Sequence, residues 1–458
     1  MRFKTTLILA IVFAVLLTVV LFMNKEQTKK EKIEEKAKKL ANIEKDNVSE
    51  LILSFNNIQA KKEDDDWKII SPVETEGDKN AIEGVLGMFS WANIERTISE
   101  DTSNLAPFGL DPAKAEMIII HSAGSDTFYV GDKNATGSFV FARKGHEPRV
   151  FLTTTSLKTN AEKTLFDLRN KKVLGFEKND VRSFLLKNKD GQFTLSKSGS
   201  DWKLDEPVND MADKSKVDNI LNGVNNEQAK EFVDENPTNL QKYGLSNPNI
   251  IVNMYLGENK AKKSLFIGNQ KDKQFYAKDD SRKPVFLVDS SFVNKLNVNL
   301  FDLRNKEIAK FTTTDVDSFR LDYSDSLIVC SKDTSGDWLV IEPELRKAKS
   351  WKMSSITSAV SNIKVETFVD DNPSNLNKYG LEKPRIKATF YKKGDQLRDI
   401  LIGTTKGEQV YAKTGDSKSI YLINKDIVET LTPKLDDIAE KKEEPKTDDT
   451  SMTEESEE

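Results

Sequence analysis

Cysteine and histidine are nearly absent from this chain: one cysteine, Cys330, and two histidines, His121 and His146, in 458 residues. A lone cysteine forms no intramolecular disulfide, and inside SLIVCSKD it reads as a small apolar strand residue. Two histidines are too few for a histidine-based zinc cluster. No glycine-rich phosphate loop, G-x-S-x-G elbow or H-E-x-x-H pair occurs. Basic excess is missing too: 69 Lys and Arg stand against 74 Asp and Glu, a net charge of −5, which argues against nucleic acid as a partner. The aspartates of KKEDDDW (61–67) lack the spaced ligands and turning glycine of a calcium loop and read as a solvated hairpin turn. No catalytic residue, cofactor-binding residue or metal ligand set emerges, and the expectation is a non-enzymatic protein without a cofactor.

A long apolar run occurs once. Residues 5–23, TTLILAIVFAVLLTVVLFM, carry no charge, Pro or Gly. At about 1.5 Å per residue the run spans roughly 28 Å, the thickness of a bilayer core. No small-residue cleavage site follows, so an uncleaved transmembrane anchor is expected after a short tail, 1–4. Arg2 and Lys4 favour a cytoplasmic N-terminus, whereas seven lysines within 25–39 count the other way. Long domains cross despite flanking charge, so the bulk of the chain is expected outside the cytoplasm. Residues 24–42 read as a charged stalk, and 440–458 as an acidic, low-complexity tail expected to be disordered.

Between stalk and tail the chain repeats itself. Trp67, Trp202 and Trp338 lie 135 and 136 residues apart, each with a proline five positions on: Pro72, Pro207 and Pro343. Gly109, Gly244 and Gly380 keep the same offsets. Three modules follow, at 43–175, 176–310 and 311–439. Each opens with two strands leading to the Trp strand, then a helix with apolar residues at i, i+3, i+4 and i+7, such as Val217, Ile220, Leu221 and Val224. The third copy substitutes Thr357 in that stripe. Four alternating strands and a short helix complete the module. The expected class is α+β: three tandem modules of mostly antiparallel sheet with packed helices, preceded by one transmembrane helix.

The most repeated phrase is NPTNLQKYGLSNP (236–248), with NPSNLNKYGLEKP (372–384) and DTSNLAPFGLDPA (101–113). Asn236 suits a helix N-cap, Pro237 the first helical position and Gly244 the left-handed stop. The phrase therefore reads as a capped helix linking to a second sheet. Tyr243 and Tyr379 become Phe108 in copy one, so a phenol is not needed. Gly131, Gly268 and Gly403 read as strand-end turns.

A second phrase, LFDLRNK, ends copies one and two but not three. It reads as a junction device, with Phe166 and Phe301 as apolar anchors and Asp167, Arg169, Asp302 and Arg304 able to pair or cap. An anion-binding arginine is the alternative.

The Trp strand with its proline, the amphipathic helix, L-x-x-Y-G-L-x-x-P, the I-G strand and the Y-A-K strand together resemble the bacterial domain-of-unknown-function family 4340 over about 43–439. Copy one departs from it at Phe108 and at Phe141-Ala142-Arg143. The resemblance implies an N-terminal membrane anchor and an extracytoplasmic accessory role beside ABC-transporter or gliding-motility components. It carries over no catalytic residue. The expected protein is a single-pass scaffold of the bacterial cytoplasmic membrane, anchored through 5–23, with envelope or transporter proteins as partners. The alternatives are a glycan- or peptide-binding protein using strand-end loops and, third, a hydrolase.

Overall fold

The structure, a computed structural model, describes residues 13, 16–27, 29, 38–145 and 147–441. Tail 1–4, much of the expected anchor 5–23, residues 28 and 30–37 of the stalk, His146 and the acidic tail beyond 441 lie outside the described residues. Residues 16–27 are helical; among the described residues no helix is long and apolar enough to cross a membrane.

Alternating apolar residues build the first module as one nine-stranded sheet. Its strands are β1 (Val48–Leu53), β2 (Ile58–Glu63), β3 (Asp66–Ser71), β4 (Thr75–Glu76), β5 (Ile94–Ser99), β6 (Ala115–His121), β7 (Gly124–Lys133), β8 (Phe139–Lys144) and β9 (Val150–Thr154). They lie in the order β4-β3-β2-β1-β6-β7-β8-β9-β5. Every pair is antiparallel. The second and third modules repeat this order strand for strand. The α+β reading with three tandem repeats therefore holds. The expected second sheet does not exist, because β6 pairs directly with β1.

By Cα proximity the chain divides into two compact units. One holds Met1–Gly175, Asn226–Leu240 and Gln270–Asp289: the first module and the later strands of the second. The other holds Phe176–Asn225, Gln241–Asn269 and Ser290–Glu458: the earlier half of the second module and the third.

The helix of each module covers its sheet with the stripe read from the sequence. Lys79–Gly87 buries Ile82, Val85 and Leu86, and the Asp78 side chain accepts from the Ala81 amide at 3.1 Å as its N-cap. In the third module, buried Thr357 is satisfied within its own helix, donating to Met353 O at 3.0 Å. The stalk ends earlier than expected. Leu40 and Ala41 are buried in the first module's core, and the Leu40 amide donates to Ala92 O at 2.8 Å. Apolar residues after the lysine run are drawn inside, where burying a side chain such as Leu contributes about 2 kcal/mol.

The YGL phrase is not a helix from Asn236. The Asn236 amide is held by the Asp234 carboxylate at 3.2 Å, so it closes the preceding strand rather than opening a helix. Only one 3-10 turn forms in each copy: Ala106–Phe108, Gln241–Tyr243 and Asn377–Tyr379. The stop itself is as read. Gly109, Gly244 and Gly380 take φ of +67°, +71° and +68°. The amides of Leu110 and Leu381 donate to Leu105 O at 3.2 Å and Leu376 O at 3.0 Å, the six-to-one bond of a Schellman cap. The aromatic packs on the Y-A-K strand. Phe108 meets Phe141 at 5.0 Å where Tyr379 meets Tyr411 at 5.1 Å, so copy one's two departures from the family pattern touch each other.

Gly131, Gly268 and Gly403 are not strand-end turns. They lie inside the long strands Gly124–Lys133, Ala261–Lys271 and Asp395–Lys406. There the YGL turn presses on the strand: a Cβ would sit 2.1 Å from Phe108 O, Tyr243 O or Tyr379 O. Backbone cannot yield by that much without local repacking. Gly403→Ala is expected to destabilise the protein by about 2–3 kcal/mol. Gly84→Ala, helical and with nothing within 4 Å, should stabilise it by up to about 1 kcal/mol. Urea unfolding midpoints of the two variants check both signs.

Candidate functional site

The LFDLRNK phrase places its residues in different roles. Leu165–Leu168 and Leu300–Leu303 are four-residue helices. Asp167 and Asp302 close capping boxes with Thr164 and Asn299 rather than pairing with their neighbouring arginines. The Thr164 amide donates to Asp167 at 2.8 Å, and this bond holds the Asp167 carboxyl below its usual range. Lysine follows as a C-terminal cap: Lys171 Nζ donates to Phe166 O at 2.9 Å and Lys306 Nζ to Asp302 O at 3.2 Å. Burial pulls the Lys306 ammonium below its usual value.

The arginines reach forward into the following module. Arg169, 2% exposed, donates to both oxygens of Glu235 at 2.5 and 3.2 Å and lies 3.4 Å over the Phe232 ring. Phe166 meets the same ring at 6.3 Å, edge on. Arg304, equally buried, has two carboxylates: Nε donates to Asp210 at 2.8 Å and Nη1 to Asp371 at 3.0 Å. Its guanidinium lies 3.6 Å over Phe368, which Phe301 meets at 5.8 Å. A guanidinium taken out of water needs both the charge partner and the filled donor fork, and the second junction provides more of each.

The three copies differ at one position in an instructive way. Asp210 has Thr75 as its counterpart in the first module, and Arg169 Nε is buried with no hydrogen-bond partner among the described residues. In the third module Ala439 replaces the arginine, and Arg346 stands at the Asp210 position, pairing with Asp436 at 3.0 Å.

Each junction also borders an open cleft. The first encloses about 920 Å³ between Trp67, Glu74 and Thr75 on one side and Glu235, Arg282 and Lys283 on the other. The second encloses about 680 Å³ between Asp210, Arg304, Asp371, Asp416 and Ser419. The loops lining them are held by the Y-A-K lysine. Lys278 Nζ donates to Asp279 O at 3.0 Å and Arg282 O at 2.5 Å, and Lys413 Nζ to Thr414 O at 2.9 Å. Burial lowers the Lys278 pKa. No group of three or more potential metal ligands occurs among the described residues.

The repeat-signature residues are structural in place. Trp67, Trp202 and Trp338 are buried in the module cores, and Pro72, Pro207 and Pro343 follow cis peptide bonds where the Trp strand ends. Sequence reasoning missed the receiving half of the junction. EFVDENP and TFVDDNP form an edge strand in the second and third modules, Glu231–Asp234 and Thr367–Asp370, and carry Phe232, Glu235, Phe368 and Asp371. The first module has Thr97 at the Phe232 position. The signal was present: this phrase occurs only where a module precedes, as LFDLRNK occurs only where one follows.

The model of the family described as Domain of unknown function (DUF4340) matches three tandem segments, 67–204, 202–356 and 338–454. The chain belongs to the DUF4340 family. Two of the DUF4340 matches run from one Trp strand into the next or beyond, so each takes in an LFDLRNK phrase and ends before the receiving phrase of the following module. No curated protein matches the chain.

Arg304→Met is expected to destabilise by about 3 kcal/mol, the lower end for a broken buried pair, because Asp210 and Asp371 are 27% and 37% exposed and rehydrate. Adding Asp371→Asn to it should recover part of the loss in denaturant unfolding, a non-additivity that an unrelated packing defect would not show. Thr75→Asp should supply the missing acceptor of Arg169 Nε and stabilise by about 1 kcal/mol. Because the Asp167 pKa is depressed on folding, its contribution is full above the ordinary carboxylate range and is lost as pH falls through the folded value. Asp167→Asn should therefore remove that part of the acid sensitivity, read from unfolding midpoints between pH 2 and 6 (roughly the carboxylate range).

Proposed function

We propose that the chain is a non-enzymatic scaffold, anchored in the bacterial cytoplasmic membrane by residues 5–23, whose modules stand on the extracytoplasmic side and hold proteins of an envelope or transport complex. The observation that carries this reading is where the strong chemistry goes. Arg169 and Arg304 are spent on Glu235 and Asp371 of the following module, and Arg304 also on Asp210 of its own. Burial raises the Cys330 thiol to about 12, where it is neither nucleophile nor ligand. Tandem modules joined through such arginines suit a protein whose task is to present several surfaces along one chain.

The glycan- or peptide-binding alternative draws on the two equivalent clefts and their strand-end loops. Sugar recognition needs an exposed aromatic face, and Trp67 and Tyr421, the lining aromatics, are each only 3% exposed. A hydrolase draws on Glu63, Asp64, Asp66, Glu74 and Glu76 in the first cleft. A general acid needs a shielded carboxyl with a raised pKa, whereas Glu74 is lowered by its bond to Lys68.

Protease added to spheroplasts should digest the modules while the cytoplasmic membrane is intact; protection there would overturn the extracytoplasmic placement. Cross-linking in cells should recover membrane or envelope proteins. A folded variant lacking residues 1–24 that turned over a substrate efficiently would sink the non-enzymatic reading.

A further inference from the structure

The three modules serve as controls for one another, and the third differs from the second at the end of its first strand. In the second module the first strand ends in Asn188, whose amide donates to Leu296 O at 2.9 Å and Val298 O at 2.8 Å. In the first, Asn56 makes the same clamp on Glu162 O and Lys163 O, both at 3.0 Å. The adjacent hairpin of the second module is filled by the buried ring of Phe193. In the third module the Asn188 position is Tyr323, which gives one bond, to Leu431 O at 2.5 Å. The Phe193 position is Ile328, and the Val298 position is Pro433. The first module also has an isoleucine, Ile58, at the Phe193 position, so the proline is what the third module has alone, and a cavity of about 640 Å³ lies beside its hairpin. That volume lies in the range of small-molecule sites, about 300–1,000 Å³.

Its chemistry is one-sided. Leu327, Ile328, Pro433 and Leu435 make apolar walls, and Asp325 and Glu342 supply two carboxylates. No lysine or arginine lines it. Neither carboxylate has an ion-pair partner among the described residues, whereas the junction carboxylates Glu235, Asp210 and Asp371 are paired with arginine. The Tyr323 hydroxyl gives its proton to Leu431 O, which leaves its oxygen able to accept a hydrogen bond.

We infer that this cavity binds a cationic amine on an apolar body, with the ammonium at Asp325 and Glu342 and the body against Leu327, Ile328 and Leu435. The amine comes either from a free small molecule or from a lysine flanked by apolar residues on a partner protein. This goes beyond the scaffold reading and does not depend on it.

The test is titration calorimetry of the full chain with phenethylammonium, the neutral 2-phenylethanol, the anionic phenylacetate, and a short peptide with one lysine between leucines. At least one of the two amines should bind saturably, and at least about tenfold more tightly than the alcohol or the anion. Tighter binding of the peptide assigns the site to a partner's side chain; tighter binding of the free amine assigns it to a small molecule. Ile328→Phe, which copies the second module, should abolish binding. Asp325→Asn with Glu342→Gln, both near the surface, should remove the preference for the amine and keeps the test open if Ile328→Phe does not fold. Equal binding of amine, alcohol and anion, binding of none, or amine binding unchanged by these substitutions would overturn the inference.

Discussion

The buried guanidinium is the constraint on which the rest of the structure turns. Arg169 and Arg304 are each withdrawn from water at the end of one module, and an unpaired charge there would cost several kcal/mol. Everything near them answers that cost: a carboxylate from the next module, an aromatic face beneath the charge, and a phenylalanine from the same phrase sealing the ring's edge. Donor and receiver sit in different modules. The first module carries Thr97 where the receiving ring would be, and the third carries Ala439 where the arginine would be.

The two junctions solve one problem to different degrees. Arg304 fills its fork with Asp210 and Asp371, while Arg169 relies on Glu235 and leaves Nε without a partner. A single residue, Thr75 against Asp210, separates them. The same substitution logic operates inside the modules. Phe108 and Phe141 change together because they touch, and Thr357 is tolerated in an apolar stripe because its hydroxyl bonds back to the helix.

Much of the fold was legible beforehand, for reasons that are local. The helix stripe of Val217, Ile220, Leu221 and Val224 and the alternation of Ile250, Val252 and Met254 are periodic signals, and all seven residues are buried as their period requires. The edge strand carrying Phe232 and Glu235 escaped because four residues ending in a charged turn show no period. The glycines at 131, 268 and 403 were misread for a related cause. Their reason is a carbonyl from a distant segment, and no neighbour in sequence reveals it.

Three modules, their α+β class, the left-handed stop of the YGL phrase and the pairing of LFDLRNK with a following module follow from the sequence by itself, because spacing, periodicity and glycine conformation act over a few residues. Tertiary structure alone decided which acid each arginine finds, that each module is one sheet, and that the third module opens a cavity where the second is filled. The arginines and their acids are 66 to 94 positions apart in the chain and become neighbours only when the sheets form.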